Sequence, residues 1–177
     1  MCYTKLTISH FGGSMKSLQV TDLKQATSHL FIKDSFDYFL MLEASITTFS
    51  TVEIDGHLHK DYFSSEELEQ LRDDTYCNWS MIRPICYQLI KGQRLPRSFK
   101  IVLSLSEDNI NNFLKQYHLE EKRSDIKGLY LNIKYEKEVL QVISGTSLHV
   151  FTMDKTIEQA WDDMVKKILK HHEIAFE

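Results

Sequence analysis

The sequence has few cysteines, prolines and glycines. It holds three cysteines, two prolines and six glycines among 177 residues. So few cysteines, with no CxxC pair, exclude a disulfide-rich secreted scaffold and predict free thiols in a cytoplasm. The scarcity of glycine and proline, together with 42% apolar residues, excludes a collagen-like or disordered chain and predicts a globular one. Because no run of about 18 apolar residues occurs, we expect no membrane span and no membrane partner. The N-terminus also has no apolar stretch typical of a signal peptide.

Basic residues are also fewer than acidic ones. The chain has 21 lysines and arginines against 25 aspartates and glutamates, which gives a formal net charge of −4 at pH 7. This balance argues against a binder of duplex nucleic acid, because such domains are usually basic.

Residues 82–100 are the exception, because they carry five cations and no acid. Arginine forks and lysines suit phosphate or carboxylate ligands, so this segment predicts a site for a small anionic ligand. Its candidate residues are Arg83, Lys91, Arg94, Arg97 and Lys100. The alternative is that the cations pair with the acidic stretch just before them, which contains Glu66, Glu69, Asp73 and Asp74.

Residues 1–14 fit poorly with the rest of the chain. The pair Met15-Lys16 resembles a natural start, so we expect 1–14 to be a mis-assigned N-terminal extension and 15–177 to be a single domain. The alternative is a true N-terminal strand that packs through Tyr3, Leu6 and Ile8.

Hydrophobic periodicity predicts an α+β fold, with a mostly antiparallel sheet of five to seven strands packed with four to five helices. The strand candidates are 16–20, 36–48, 52–58, 99–105, 129–135, 139–144 and 148–152. The helix candidates begin at the capping residues Thr21 or Asp22, Ser64, Ser106 and Thr156, and one further helix runs from Trp79 to Lys91. The helix that begins at Ser64 is expected to reach about Tyr76. No strand–glycine loop–helix crossover typical of nucleotide binding occurs.

Alternation over residues 36–58 predicts a hairpin that turns near Phe49. Leu40, Leu42, Ala44 and Ile46 share one parity and should be buried. A turn at Asp55-Gly56 is the alternative, but it would set histidines opposite the apolar face, so Gly56 is expected to be a bulge.

The opposite, polar face of this hairpin is the second candidate site. It should carry Glu43, Glu53, Asp55 and His57, with His59 on the same parity. Carboxylates and imidazoles can bind a divalent metal or transfer protons, and they are equally typical of a half-exposed sheet face. Because the spacing specifies no third ligand, we expect neither a metal nor a cofactor.

The remaining chemistry-bearing residues favour structural roles. Trp79, Cys86 and Trp161 lie on apolar helical stripes and should be in the core, and His171-His172 should end the last helix. No local signature arranges a serine, histidine and aspartate for catalysis.

Three pieces of the sequence together resemble a known family. They are Asp34-Ser35-Phe36-Asp37 leading into Glu43-Ala44-Ser45-Ile46-Thr47-Thr48, then Ile54-Asp55-Gly56, then Arg83-Pro84-Ile85-Cys86 with Leu89-Ile90-Lys91-Gly92 and Phe99-Lys100-Ile101-Val102-Leu103. This resemblance, over about Met15 to Glu177, is to an uncharacterised bacterial family known only as a domain of unknown function. It implies a small cytoplasmic bacterial protein and brings no activity, cofactor or catalytic residue with it.

Three functions fit these observations. The most favoured is a non-enzymatic ligand-binding or regulatory domain. An enzyme acting on a phosphorylated or anionic small molecule would need Glu43 or Asp55 within reach of the arginines in one cleft. Weak contact with single-stranded nucleic acid through residues 83–100 would need exposed aromatic side chains beside the cations, and Tyr87 and Phe99 are the nearby candidates.

Overall fold

The computed structural model describes residues 15–71 and 75–177, with the side chain of Gln70 left aside. Residues 1–14, which were expected to be an N-terminal extension or, alternatively, a strand, lie outside the described residues. Asp73 and Asp74 also lie outside them. The described chain forms one antiparallel sheet in the order β1-β6-β5-β4-β2-β3. The strands are β1 Ser17–Val20, β2 Leu40–Thr47, β3 Thr51–Asp55, β4 Ser98–Ser104, β5 Ile126–Glu136 and β6 Val139–Leu148.

Five α-helices and two 3-10 helices accompany the sheet within the described residues, and the predicted α+β fold is confirmed. The α-helices are α1 Leu23–Phe31, α2 Ser65–Gln70, α3 Trp79–Ile90, α4 Glu107–Tyr117 and α5 Thr156–His171. The 3-10 helices are Lys60–Tyr62 and Glu120–Asp125.

Three helices begin at the side-chain caps that the sequence predicts. The side chains of Asp22, Ser64 and Ser106 each accept a hydrogen bond from the backbone N–H three residues later. Ser64 and Glu67 form the full capping box. The prediction that this helix reaches Tyr76 is wrong, because α2 ends at Gln70. Residues 75–77 are instead held by backbone bonds, in which Leu58 donates to Thr75 and Cys77 donates to Gly56.

The β2–β3 hairpin turns where it was predicted to turn. The backbone N–H of Thr48 donates to Ser50 at 2.9 Å, and Glu43 lies opposite Asp55. The predicted bulge at Gly56 is wrong, since the register shift lies in β2 between Met41 and Glu43. The extra residue reverses the parity there, so Met41 is fully buried against the helices, whereas Leu42 is only half-buried.

The C-terminal part of the sheet differs from its prediction. Two long strands, β5 and β6, replace the three short ones, and residues 149–155 form no strand. Gly145, expected in a turn, lies within β6 opposite Tyr130, where an added Cβ would come within 3.6 Å of Tyr130 Cβ. The turn expected near Glu136-Lys137 is present, with Lys137 and Glu138 at φ values of 51° and 63°.

The core lies between one face of the sheet and the helices. Trp79 of α3 and Trp161 of α5 are fully buried, as predicted, and so is Cys86. Phe31 of α1 contacts Trp79 and the ring of Phe99 in β4. The alternate residues of the strands form what we call the polar face, which includes Glu43, Ser45, Lys100, Asn132 and Lys134.

Residues 174–177 complete one side of the sheet. The side chain of Ile174 is buried, and the backbones of Gln19 and Glu177 exchange two hydrogen bonds of 3.0 and 2.9 Å. The N–H of Thr21 donates to Ala175, and Val20 pairs with Phe176. Strand β1 is therefore held between β6 on one side and this segment on the other.

Candidate functional site

Arg83, the first of the five predicted anion-binding cations, is already neutralised inside the fold. Its Nε and Nη2 atoms donate to the two carboxylate oxygens of Asp37 at 2.8 Å each, and Nη1 donates to the carbonyl of Ile32 at 2.7 Å. This hydrogen-bonded carboxylate raises the pKa of the guanidinium. Arg83 therefore ties α3 to the loop after α1.

Lys100 also has a partner within the chain. It projects from β4 on the polar face, and its Nζ lies 2.7 Å from Oε1 of Glu43 on β2. Both side chains are about half exposed, so the pair contributes little to stability. Lys100 lies on the face of the sheet opposite the core, whereas Arg83 lies on a helix that packs against the core. The five cations are thus not brought together in one place.

The other three cations, Lys91, Arg94 and Arg97, lie on the loop between α3 and β4. All three are exposed, and none makes an ion pair within 4.0 Å with any residue that the structure describes. Gly92 follows Lys91 in this loop and has a φ of 149°, which no L side chain adopts easily, and the loop ends where Arg97 N donates to Thr47 O at 2.8 Å. We call residues 91–97 the basic loop.

The second candidate site is the polar face of the β2–β3 hairpin. Glu43 is opposite Asp55, and Ser45 is opposite Glu53. His57 lies just beyond β3, with its Nδ1 2.7 Å from Asp55 Oδ1 and its ring 4.5 Å from the ring of Tyr76. The hydrogen bond from His57 lowers the pKa of the Asp55 carboxyl.

An open surface pocket adjoins this pair. It has a volume of about 560 Å³ and is lined by His57, Leu58, His59, Asp61, Tyr62, Phe63 and Cys77. Among residues 15–71 and 75–177, no three histidines, cysteines, aspartates or glutamates lie together in a way that could hold a metal ion. The pocket is therefore a polar and aromatic depression at the end of β3 opposite to the hairpin turn.

A buried serine–histidine contact escaped the sequence analysis. His29 Nδ1 lies 2.6 Å from Ser35 Oγ, and both residues are buried. His29 Nε2 lies 3.0 Å from Lys33 Nζ and 3.2 Å from the amide nitrogen of Gln25. Since an ammonium and an amide NH₂ can only donate, Nε2 accepts and Nδ1–H donates to the serine. His29 is consequently not placed to take a proton from Ser35. The only sequence signal was the spacing of Gln25, His29 and Lys33 at four-residue steps.

The two described thiols are not activated either. Burial raises the pKa of Cys86 to about 12. The pKa of Cys77 is also raised, first by burial and further by the nearby charge of Asp55. Both environments favour the protonated thiol over the thiolate, which is the nucleophilic form.

The cluster around His29 predicts a pH-dependent stability. Burial, Lys33 and His172 lower the pKa of His29, while Glu173 opposes them, and burial and His171 lower the pKa of His172. As the pH falls, the unfolded chain therefore binds protons before the folded protein does. The stabilising contribution of the neutral rings is complete above about pH 6.5 and is lost as the pH falls below that value. We expect urea unfolding to show a smaller loss of stability between about pH 7 and pH 5.5 in His29→Gln than in the parent.

The control for this prediction is His149→Gln, since His149 is exposed and is not among the side chains that contact His29, which are Gln25, Lys33, Ser35 and His172. That variant should keep the pH dependence of the parent. Equal slopes in the parent and in His29→Gln would contradict the assignment of the slope to the buried ring.

Together, the fold and these sites define an α+β domain with one helix-covered sheet, a polar sheet face, an exposed basic loop and no activated serine or cysteine among the groups described above. A comparison with family models matches residues 29–177 to the family of unknown function DUF5721, and the chain belongs to this family. The resemblance found in the sequence is thereby confirmed. Neither the comparison with curated proteins nor that with solved structures gave a match. No helix among the described residues is long and apolar enough to cross a membrane.

Proposed function

We propose that this protein is a non-enzymatic binding domain that takes an anionic ligand on the basic loop. The observation that supports this proposal is the difference in pairing among the five cations. Arg83 and Lys100 have carboxylate partners. In contrast, Lys91, Arg94 and Arg97 are exposed and make no ion pair with a described residue. Exposed cations that make no ion pair with a described residue can attract an external anion, although the chain as a whole has a net charge of −4.

A binding role is favoured over an enzymatic one by what surrounds these cations. Glu43 contacts Lys100, and Asp55 contacts His57, so both carboxylates have partners other than the cations of the basic loop. No acid or imidazole of the described chain makes a hydrogen bond or ion pair with Lys91, Arg94 or Arg97. An enzyme acting on an anionic small molecule, the alternative, would need such a group beside the bound ligand to transfer a proton.

The proposed location is the cytoplasm of a bacterium. Cys77 and Cys86 are free thiols, and Cys86 is fully buried, which supports a reducing compartment.

Anion binding should appear as thermal stabilisation. At matched ionic strength, we expect inorganic pyrophosphate or a nucleoside monophosphate at about ten times its Kd to raise the Tm by roughly 3–6 °C, because a ligand that binds only the folded state stabilises it by mass action. Arg94→Glu plus Arg97→Glu should abolish that rise. In the absence of ligand, the double variant should change stability by no more than about 1 kcal/mol, since both side chains are exposed.

The matched control is Lys24→Glu plus Lys127→Glu, which makes the same change of net charge at exposed positions elsewhere. It should keep the ligand-induced rise in Tm. A rise that survives in both double variants would assign the anion to another part of the molecule. If the loop instead pairs with the acidic stretch, pyrophosphate should cause no specific rise in Tm, and the double variant should lower stability only slightly, since exposed ion pairs contribute about 0–1 kcal/mol each.

A further inference from the structure

An aromatic side chain stands beside the basic loop at the tip of the β2–β3 hairpin. Phe49 is fully exposed, with 102% of its reference surface open to solvent. The turn that carries it is held by the bond from Thr48 N to Ser50 O and by a 2.9 Å hydrogen bond between the hydroxyls of Thr47 and Thr51. The ring is therefore presented to solvent on a defined turn, although its exposure is unfavourable in water.

The basic loop and this turn lie at the same end of the sheet. Arg97 N donates to Thr47 O, which places the backbone of Arg97 beside the residue two positions before Phe49. Leu95, between Arg94 and Arg97, is 75% exposed. The basic loop and the hairpin turn thus meet at one end of the sheet, and we call their exposed side chains there the hairpin-end surface, defined by Phe49, Lys91, Arg94, Leu95 and Arg97.

The aromatic residues named from the sequence do not belong to this surface. Phe99 is only 3% exposed and packs in the core against Phe31 and Tyr135. Tyr87 is half-buried and packs against the same core. Phe49 lies outside residues 83–100, and it is strand pairing that brings it next to them.

We propose that the hairpin-end surface binds a short stretch of single-stranded nucleic acid, a proposal that rests on anion binding by the basic loop. The cations contact successive phosphates, an unpaired base stacks on the ring of Phe49, and Leu95 covers an apolar edge of the base or sugar. A duplex does not fit, because its bases are already stacked and the net charge of the chain is −4.

Two other anionic partners explain less of this surface. A free phosphorylated metabolite accounts for the cations and leaves the exposure of Phe49 and Leu95 without a role. An anionic lipid surface accounts for both, but recognition of that kind commonly uses a cluster of about four to eight cations, and this surface has three. Single-stranded nucleic acid needs only a short cationic track and an aromatic platform.

The test is fluorescence anisotropy of labelled oligothymidylate and oligouridylate, about eight nucleotides long, with the full chain at about 50 mM NaCl. Phe49→Ala should weaken binding by roughly fivefold to a hundredfold, the range for loss of one stacking side chain. Phe151→Ala, which removes another exposed ring at 82% exposure, should leave the affinity unchanged. Arg94→Ala plus Arg97→Ala should weaken binding and reduce the slope of log K against log salt by about 1.4, because each lost phosphate contact accounts for about 0.7.

The results separate this inference from the proposed function. If pyrophosphate raises the Tm in an Arg94- and Arg97-dependent way while no oligonucleotide binds, the nucleic-acid inference is overturned and anion binding stands. Binding to phosphatidylserine vesicles that depends on Phe49, without oligonucleotide binding, would overturn it in favour of a lipid surface. Oligonucleotide binding that is equal in the parent and Phe49→Ala would overturn it too. If neither pyrophosphate nor oligonucleotide binds, both proposals fail.

Discussion

Trp161→Ala is expected to lower the free energy of unfolding by about 3–5 kcal/mol, a large part of the 5–15 kcal/mol typical of a domain. Trp161 is fully buried, its indole N–H donates to the carbonyl of Tyr130 in β5 at 2.9 Å, and its ring meets Phe113 of α4 edge to face at 5.8 Å. The truncation leaves a cavity where α5, α4 and the sheet meet, and it removes the hydrogen bond to β5.

Urea unfolding followed by far-UV circular dichroism measures this loss. Trp161→Phe should cost less than Trp161→Ala, because it keeps most of the apolar volume and loses the indole N–H. Phe151→Ala, the truncation of an exposed ring, should change stability by less than about 0.5 kcal/mol. A Trp161→Ala variant that unfolds at the urea midpoint of the parent would show that α5 is not docked through this side chain.

Gly56→Ala is expected to be the most damaging single-methyl change, with a loss of about 3 kcal/mol or more. A Cβ at position 56 would lie 1.8 Å from the carbonyl oxygen of Met41 and 2.9 Å from that of Leu42. These are backbone atoms, so no rotamer change can relieve the clash. Gly56 also donates to Leu42 O and accepts from Cys77 N, which means that a shift of its backbone would disturb two neighbouring segments.

Gly145→Ala provides the matched comparison. Its added Cβ would meet Asn132 Nδ2 at 3.4 Å and Tyr130 Cβ at 3.6 Å, which are ordinary van der Waals separations. We expect a change within about 1 kcal/mol, since alanine loses less backbone entropy than glycine on folding into a strand. Similar melting temperatures for the two variants would contradict the close backbone packing at Gly56.

Local chemistry made much of the fold predictable. The caps at Asp22, Ser64 and Ser106 act within three residues, and the β2–β3 hairpin follows from strict alternation, so each was readable from its own segment. Gly145 was misread as a turn because its role depends on Tyr130, a strand partner 15 residues away in the chain. The shift between Met41 and Glu43 was missed because a bulge leaves the pattern of residue types unchanged while it reverses which side chains face the core.

The same distinction between local contacts and contacts with distant residues applies to the candidate sites. Parity alone indicates that Glu43 and Asp55 share one face of the sheet, whereas their position opposite each other is given by the strand register. The internal partners of Arg83 and Lys100 could not be read from the sequence, because Asp37 and Glu43 lie 46 and 57 residues away. Phe49 was missed as a neighbour of the cations for this reason too, since only the pairing of β2 with β4 joins the hairpin turn to the basic loop.

The position of β1 also has a consequence for the order in which the molecule can fold. Lys16 and Ser144, which are bonded to each other, are separated by 128 residues, and the other neighbour of β1 is the segment 174–177. During synthesis, β1 therefore has no pairing partner until nearly all of the described chain has left the ribosome. Contacts of such long separation slow folding because the loop must close before they form. We expect β2–β3 and β5–β6 to assemble first as local hairpins, and β1 to join them in the last step.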